Sequence, residues 1–162
     1  MSAIHPPKWN ENTTDDDRWD NLDGSIERGF AGASIFFANG NIVSNLTRSS
    51  EYARLLASIG INGVVVNNVN ANATLLTPAN VEGLARIADT FRPYGVQLGI
   101  SLDFASPTRG VQGRPNLTTY DPLDTTVVQW WTNITTDIYA AVPDFAGYLV
   151  KVSVIERNAD NL

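Results

Sequence analysis

The sequence lacks the residues on which several kinds of site depend. It contains no cysteine, so disulfides and thiolate metal sites are excluded. His5 is the only histidine and lies in a polar N-terminal stretch, so a Ser-His-Asp triad is not expected. No run of roughly 20 apolar residues is present, so we expect no membrane partner. The 11 lysines and arginines are scattered, whereas phosphate recognition needs clustered cations, so no nucleic-acid partner is expected.

What is present suits one folded domain. The chain has 162 residues, of which 43% are hydrophobic and 17% charged, with a net charge of −6. Residues 1–17 form a polar N-terminal tail without the apolar centre of a signal peptide, so we expect no secretion by that route unless the true start lies upstream. Five N-x-Ser/Thr sequons hint at a secretory history, although chance competes with that interpretation. These glycosylation candidates are Asn12, Asn45, Asn72, Asn116 and Asn133.

Three segments show helical periodicity. Residues 50–59, 78–92 and 125–142 each repeat apolar residues every three or four positions. The second follows Thr77 as N-cap, and the third follows Asp124 as N-cap. The expected buried stripes are Tyr52, Leu55, Leu56 and Ile59 in the first helix, Val81, Leu84, Ala88 and Phe91 in the second, and Val127, Trp131, Ile134, Ile138 and Val142 in the third.

A short apolar run follows each helix and predicts a strand. These runs are Gly63–Val69, Val96–Phe104 and Gly147–Val152, and Ala33–Ala38 is an earlier strand candidate. Their near-continuous hydrophobicity is typical of parallel strands covered on both faces. The alternation of helix and strand therefore predicts an α/β protein.

Two α/β architectures fit this alternation: part of a (β/α)8 TIM barrel, or a small doubly wound sheet. The barrel is favoured because the sequence contains neither a G-x-G-x-x-G motif nor a P-loop. A closed barrel needs about 250 residues. We therefore expect a partial (β/α)8 TIM barrel, about its first four βα units.

Polar residues stand where the three main predicted strands end. They are Asn67–Asn70, Asp103 with Ser106, and Lys151. In both architectures ligands bind at the carboxyl ends of the strands. Amides, a carboxylate and an ammonium at one rim suit a sugar or a sugar acid, because hydroxyls need many donors and acceptors and a carboxylate needs a fixed cation. Ordinary turn chemistry is the competing explanation, since Asn and Asp favour such loops.

Trp19 is a further candidate for sugar binding. Its ring could stack on a sugar while Asp20 and Asn21 bond the hydroxyls. The alternative is a core tryptophan followed by a turn at Asp23–Gly24. Trp131 falls on a predicted buried stripe, where we expect core packing.

Four longer strings resemble one enzyme family. They are WDNLDGSIERGFAG (19–32), YARLLASIGINGVVVNNVNA (52–71), FRPYGVQLGISLDFASP (91–107) and PDFAGYLVK (143–151). In this order they resemble the catalytic domain of fungal-type α-glucuronidases of glycoside hydrolase family 67. The resemblance implies that residues 18–151 are the N-terminal part of a catalytic barrel and that residues 152–162 are a divergent C-terminal tail.

The resemblance also implies an activity. Such enzymes hydrolyse, with inversion, the α-1,2 bond that attaches 4-O-methylglucuronic acid to glucuronoxylan-derived oligosaccharides. They are extracellular and use no metal or organic cofactor. One carboxylic acid protonates the leaving oxygen, and carboxylates about 6.5–9.5 Å away activate a water. Trp19 and Val69 match family residues that line the glucuronate pocket, and Lys151 matches the lysine that binds the uronate carboxylate. The neighbouring substrate-binding candidates are Asp20, Asn21, Asn68 and Asn70.

The resemblance to the family's sequence pattern ends after Lys151. In the family this lysine precedes a segment resembling A-N-S-E-G-Q-P-G-P, whose glutamate is the general acid, whereas here VSVIERNADNL follows. Ile155 occupies the acid's position, and Glu156 would point to the opposite face of a strand. We therefore expect a truncated, inactive fragment without catalytic residues or the family's N-terminal β-rich domain. A retained intron starting at Val152–Ser153 is one hypothesis for the divergence.

Three functions are open at this point. The chain could be a truncated glycoside hydrolase, a non-catalytic carbohydrate- or glucuronate-binding α/β module, or a free-standing small α/β enzyme of another kind. Binding of glucuronic acid without hydrolysis would favour the second, and cooperative unfolding the third. The sequence makes no prediction of oligomeric state.

Overall fold

The computed structural model of the chain describes Lys8–Trp9, Phe30–Ala31, residues 34–67 and residues 73–151. Strand β1 (Lys8–Trp9) pairs antiparallel with β2 (Phe30–Ala31). The residues around Trp19 lie outside the described residues.

The last two residues of the strand candidate Ala33–Ala38 belong to an antiparallel hairpin. Strand β3 (Phe37–Ala38) pairs antiparallel with β4 (Asn41–Ile42), so this run does not join the parallel sheet. Between them lie Asn39 with φ 52° and Gly40 with φ 74°. An Asn-Gly pair accepts these left-handed angles at low cost and is a strong hairpin signal. The expectation of a simple strand was therefore incomplete.

Helices and parallel strands alternate along the rest of the described chain, which confirms a mixed α/β protein. The strands β5, β6 and β7 lie in this order in one parallel sheet. In chain order the elements are α1 (Thr47–Ser58), β5 (Gly63–Val65), α2 (Pro78–Phe91), β6 (Gln97–Asp103), α3 (Thr125–Ala141) and β7 (Gly147–Lys151). Three short 3-10 helices, at Ala73–Leu76, Arg92–Tyr94 and Ser106–Thr108, lie in the connections.

Helix α2 agrees most closely with its sequence pattern. The Thr77 side chain accepts a hydrogen bond from the Asn80 backbone N–H, and Pro78 stands at the first helical position. All four residues of its predicted stripe are buried: Val81, Leu84, Ala88 and Phe91. This helix therefore packs its apolar face on the sheet as its periodicity predicts.

The stripes predicted for the other two helices need correction. Helix α1 buries Ser49, Ala53 and Leu56, whereas Leu55 is 42% exposed and Ile59, just past the helix end, is 65% exposed. In α3 the predicted stripe is buried except at Trp131, and its neighbour Trp130 is buried instead. Trp130 donates from Nε1 to the Pro115 carbonyl 2.8 Å away, and this bond allows an indole to be buried.

The two faces of the sheet differ. On β6 the side chains of Leu98, Ile100 and Leu102 belong to the hydrophobic core formed with the helices. The alternate residues Gly99, Ser101 and Asp103 therefore point to the opposite face. Gly99 is closely packed, because a Cβ there would lie 3.1 Å from the Gly147 carbonyl oxygen and the backbone would have to shift slightly. Within the described residues, no helix is long and apolar enough to span a membrane.

Candidate functional site

The carboxyl ends of β5, β6 and β7 bring three of the predicted polar positions to one end of the sheet. Asp103 and Lys151 are paired across the β6–β7 ladder, so they end neighbouring strands side by side. On β6, Asp103 belongs to the face away from the helices, because it alternates with the core residue Leu102. Asn67 lies just beyond the end of β5 and contacts Ser101 on β6.

Asn67 is held by two hydrogen bonds to the backbone of one residue. Its Nδ2 donates to the Ser101 carbonyl oxygen at 2.9 Å, and its Oδ1 accepts from the Ser101 N–H at 2.7 Å. Asn67 is 9% exposed and Ser101 is fully buried. A buried pair of this kind fixes the side chain, because neither Ser101 group can turn to water instead.

The turn after β6 is fixed by its own side chains. Asp103 Oδ1 accepts from the Ala105 N–H at 2.9 Å, and the Ser106 hydroxyl donates to the Asp103 carbonyl oxygen at 2.6 Å. Arg109 brings a guanidinium nitrogen to 3.9 Å from Asp103 Oδ2. Sequence reasoning identified Asp103 and Ser106 but not Arg109, whose position 6 residues past the strand end carries no local signal.

Most of the predicted substrate-binding side chains lie outside the described residues. These are Trp19, Asp20, Asn21, Asn68, Val69 and Asn70. For Lys151 the structure gives the backbone position, at the last residue of β7. Among the described residues, no group of three or more His, Cys, Asp or Glu side chains could hold a metal ion.

Three of the sequon asparagines are described, and all three are exposed. Asn45 accepts a hydrogen bond from the Thr47 N–H, and Asn116 accepts one from the Gly110 N–H. Asn133 lies within α3 and accepts from the Gln129 side chain. Asn12 and Asn72 lie outside the described residues.

A groove of about 310 Å³ runs along α3 near the turn after β6. Phe104, Val128 and Trp131 are among its lining residues. The Trp131 indole packs edge-on against Trp130, with ring centroids 4.8 Å apart. Its Nε1 is buried and has no hydrogen-bond partner among the described residues. Phe104 directly follows the last residue of β6, so the groove adjoins the carboxyl end of that strand.

Two carboxylates and one phenol have displaced pKa values. A hydrogen bond from Arg92 holds the pKa of Asp144 below its ordinary value. The hydroxyl and the backbone N–H of Thr126 lower the pKa of Asp124, the N-cap of α3. Burial raises the pKa of Tyr148 to about 12, with a smaller contribution from Tyr139. All three therefore keep their ordinary charge states at neutral pH, so none of them is an acid or base near neutrality.

Comparison with a family model and with known proteins points to one enzyme family. The family model for the glycosyl hydrolase family 67 middle domain matches residues 1–158. "Probable alpha-glucuronidase A" of Aspergillus oryzae is 63% identical over 94% of this chain, and the protein of the same name from Aspergillus terreus is 65% identical over 84%. "Alpha-glucuronidase A" of Aspergillus tubingensis is 63% identical over 83%.

These matches cover only a small part of the relatives. The chain spans 17% of the length of the Aspergillus oryzae protein and 16% of the Aspergillus terreus protein. The match to the family model nevertheless extends over almost the whole chain and includes the strand ends described above. The chain therefore belongs to glycosyl hydrolase family 67, whose middle domain it matches.

Proposed function

We propose that β5, β6 and β7 are an arc of a (β/α)8 barrel, about its first four βα units, formed by residues 18–151. The strands are parallel, their order in the sheet follows the chain, and α2 and α3 connect them. A doubly wound sheet reverses its strand order at a switch point, whereas a barrel does not. The small residues Gly99 and Ser101, on the face away from the helices, suit the packed interior of a barrel.

We further propose that this barrel belongs to a xylan α-1,2-glucuronidase, which releases 4-O-methylglucuronic acid from glucuronoxylan-derived oligosaccharides outside the cell. The observation that carries this proposal is the position of Lys151. It ends β7 beside Asp103, at the end of the sheet where ligands of such folds bind. The relatives' names support the same activity.

In this proposal the residues of the chain bind the uronic acid. The Lys151 ammonium pairs with the substrate carboxylate, which is the strongest single contact available to a sugar acid. Trp19 and Val69 line the pocket, and hydroxyls are bonded by the neighbouring polar residues Asp20, Asn21, Asn68 and Asn70. The exposed sequon residues Asn45, Asn116 and Asn133 are proposed glycosylation sites of a secreted protein.

A second candidate function is binding without hydrolysis. It is favoured by Ile155, because a hydrocarbon side chain in the general acid's position cannot protonate the leaving oxygen. We therefore expect residues 1–162, as a polypeptide by themselves, to bind glucuronic acid and to release no 4-O-methylglucuronic acid from aldouronic acid oligosaccharides. Measurable release by the purified polypeptide would contradict this expectation.

Calorimetry with D-glucuronic acid and D-glucose tests the binding site. We expect binding of the uronic acid and a much weaker signal with glucose, which lacks the carboxylate. Lys151→Met should lower the affinity for glucuronic acid by roughly tenfold or more, because the carboxylate loses its cation. Arg54→Met removes one positive charge from the exposed surface of α1 and is the matched control. Equal losses in the two variants would show that only net charge matters.

A segment exchange separates the two candidate functions. Residues 18–151 would replace the matching segment of the Aspergillus oryzae relative, so that the relative's own sequence follows Lys151. A glucuronidase segment should give a hybrid that releases 4-O-methylglucuronic acid, and Lys151→Met should suppress the release. A folded hybrid that binds glucuronic acid but releases none would favour the binding module.

A further inference from the structure

Helix α3 carries far less charge than the other two α-helices. Helices α1 and α2 each contain three charged residues, which are Arg48, Glu51 and Arg54 in α1 and Glu82, Arg86 and Asp89 in α2. Helix α3 is longer but contains only Asp137, which is paired with Arg114. Its other exposed positions hold Thr, Gln, Asn and Ala together with Val128 and Tyr139. A surface that has few charges but keeps aromatic side chains is typical of protein–protein interfaces.

A second apolar stripe runs along this surface of α3. Val128 is 51% exposed, Tyr139 is 48% exposed, and Trp131 is half-buried. Together with Thr135 these residues recur every three or four positions, so they lie on one side of the helix over about three turns. The groove next to Phe104 is lined by the first half of this stripe. Helix α2 packs between α1 and α3, so α3 is the outermost α-helix of the described part of the chain.

The polar groups of this stripe favour contact with a partner. The Thr135 hydroxyl donates to the Trp131 carbonyl oxygen at 2.8 Å, and the Thr132 hydroxyl donates to the Val128 carbonyl oxygen at 2.8 Å. Because both hydroxyl protons are already donated within the helix, burial of these threonines leaves no donor unsatisfied. The Trp131 Nε1 is the opposite case, since it has no acceptor among the described residues. A partner that brings an acceptor would therefore satisfy it.

The stripe is symmetric about Thr135. Trp131 lies one turn before Thr135, and Tyr139 lies one turn after it. If two α3 helices pack antiparallel and cross at Thr135, the Trp131 of each copy lies opposite the Tyr139 of the other, as a two-fold axis requires. The small threonine side chains at the crossing point allow the helices to approach closely. The Tyr139 hydroxyl can then accept a hydrogen bond from the Trp131 Nε1 of the other copy.

We propose that two copies of this chain associate through α3, packed antiparallel about a two-fold axis at Thr135. Each chain has a net charge of −6, so two copies repel over much of their surface, whereas α3 brings only the already paired Asp137 to the contact. A contact limited to about three helical turns is at the small end of interfaces, below roughly 1,200 Å² in total. We therefore expect a weak dimer, with a Kd of roughly 10–100 μM. The contact includes none of the residues of the proposed glucuronate site.

Two opposite charges at position 135 test the two-fold axis. Sedimentation equilibrium of residues 1–162 between roughly 5 and 500 μM measures the association. Thr135→Glu should weaken the dimer by roughly tenfold or more, because the axis brings two carboxylates together, and Thr135→Lys should do the same with two ammonium groups. An equimolar mixture of these two variants should associate at least as tightly as wild type. Absence of this rescue would overturn the proposed arrangement.

Thr90→Glu is the matched control. Thr90 lies in α2, is half-buried like Thr135, and its hydroxyl also donates to the carbonyl oxygen four residues earlier, at 2.8 Å. The substitution adds the same negative charge outside the proposed contact, so we expect an unchanged Kd. An equal weakening by Thr90→Glu and Thr135→Glu would assign the effect to net charge and overturn the proposal.

Thr135→Cys keeps the proposal testable even if a charged residue at this position prevents folding. The chain contains no cysteine, so the introduced thiol can form a protein disulfide only with a second copy. A disulfide needs Cα atoms about 4.4–6.8 Å apart, a separation that two copies of residue 135 reach near the axis. With oxidised glutathione we expect a covalent dimer from Thr135→Cys and little from Thr90→Cys. Equal crosslinking of the two variants would contradict the proposed contact.

Two further results of sedimentation would also overturn the proposal. The first is a wild-type chain that remains monomeric up to about 500 μM, well above the expected Kd. The second is a dimer whose Kd Thr135→Glu leaves unchanged. That result would indicate association through the exposed residues Val65 and Leu149 of the sheet instead of through α3.

Discussion

The two ends of the three-stranded sheet are held together by different chemistry. At the amino end, Arg92 forms two hydrogen bonds to the Asp144 carboxylate, of 2.9 and 2.8 Å, and a third of 2.5 Å to Asp89. These side chains are largely exposed. At the carboxyl end, Asn67 and Ser101 form a neutral, buried pair of hydrogen bonds.

This difference indicates which end can receive a charged ligand. The amino end pairs its charges with each other, so little of the Arg92 charge is left for an outside anion. At the carboxyl end the contact between Asn67 and the β6 backbone uses a neutral amide. In the proposed site, Lys151 binds the substrate carboxylate. Rigid backbone with available polar groups is what a binding site requires.

The largest expected effect is the loss of stability in Asn67→Ala. It leaves the N–H and C=O of Ser101 buried without partners, which should cost roughly 2–4 kcal/mol of the free energy of unfolding. Urea denaturation measures this loss. Because the hydrogen bonds are neutral and buried, the loss should be the same at low salt and at about 0.5 M salt.

Arg92→Ala provides the comparison at the amino end. Its exposed ion pairs are weakened by salt, so this substitution should cost less than Asn67→Ala and the cost should shrink further at high salt. A salt-independent loss in Arg92→Ala, or a salt-dependent loss in Asn67→Ala, would break the distinction between the two ends.

The fold could be predicted where a pattern was purely local. Helix α2 has its cap, its proline and its apolar stripe within one segment, and all of these proved correct. In α3 the adjacent Trp130 and Trp131 fit the helical period almost equally well. The hydrogen bond to Pro115, 15 residues away, coincides with the burial of Trp130, and no local pattern contains that bond. The Asn39–Gly40 pair is a further local signal, because it predicts the hairpin between β3 and β4.

In the candidate site, too, the sequence predicts local features but not contacts between distant parts of the chain. The strand ends at Asp103 and Lys151 follow from the apolar runs that precede them, and the register places the two side by side. Asn67 could be predicted to lie at a strand end, but its partner Ser101 is 34 residues further along the chain. Contacts of that kind depend on the pairing of the strands, so the sequence pattern alone gave only the residue type and the location.

A smaller effect is expected in how the free energy of unfolding decreases at acidic pH. The hydrogen bond from Arg92 lowers the pKa of Asp144, so its stabilising contribution is complete above the unfolded-state pKa of about 4 and is lost as the pH falls through the lower folded-state pKa. Asp144→Asn should therefore lose less stability than wild type between about pH 5 and pH 2.5. Urea denaturation across this range measures the difference.

Asp124→Asn is the control for this acid effect. The pKa of Asp124 is lowered by the Thr126 hydroxyl and N–H rather than by a cation, so it loses its contribution in the same direction as the pH falls. Salt should reduce the contribution of Asp144, which depends on Arg92, more than that of Asp124. Equal salt sensitivity of the two carboxylates would show that charge pairing does not distinguish the amino end.

The smallest expected change in stability concerns the Ser101 hydroxyl rather than the Ser101 backbone groups. The Ser101 hydroxyl is buried without a hydrogen-bond partner among the described residues, so Ser101→Ala should stabilise the fold slightly, by about 1 kcal/mol or less. Ser49→Ala is the matched substitution, because Ser49 is equally buried but donates to the Ile35 carbonyl oxygen at 3.0 Å. That variant should lose about 1 kcal/mol. If urea denaturation gave the same loss for both, the Ser101 hydroxyl would also hold the carboxyl end, and Asn67 would share its role there.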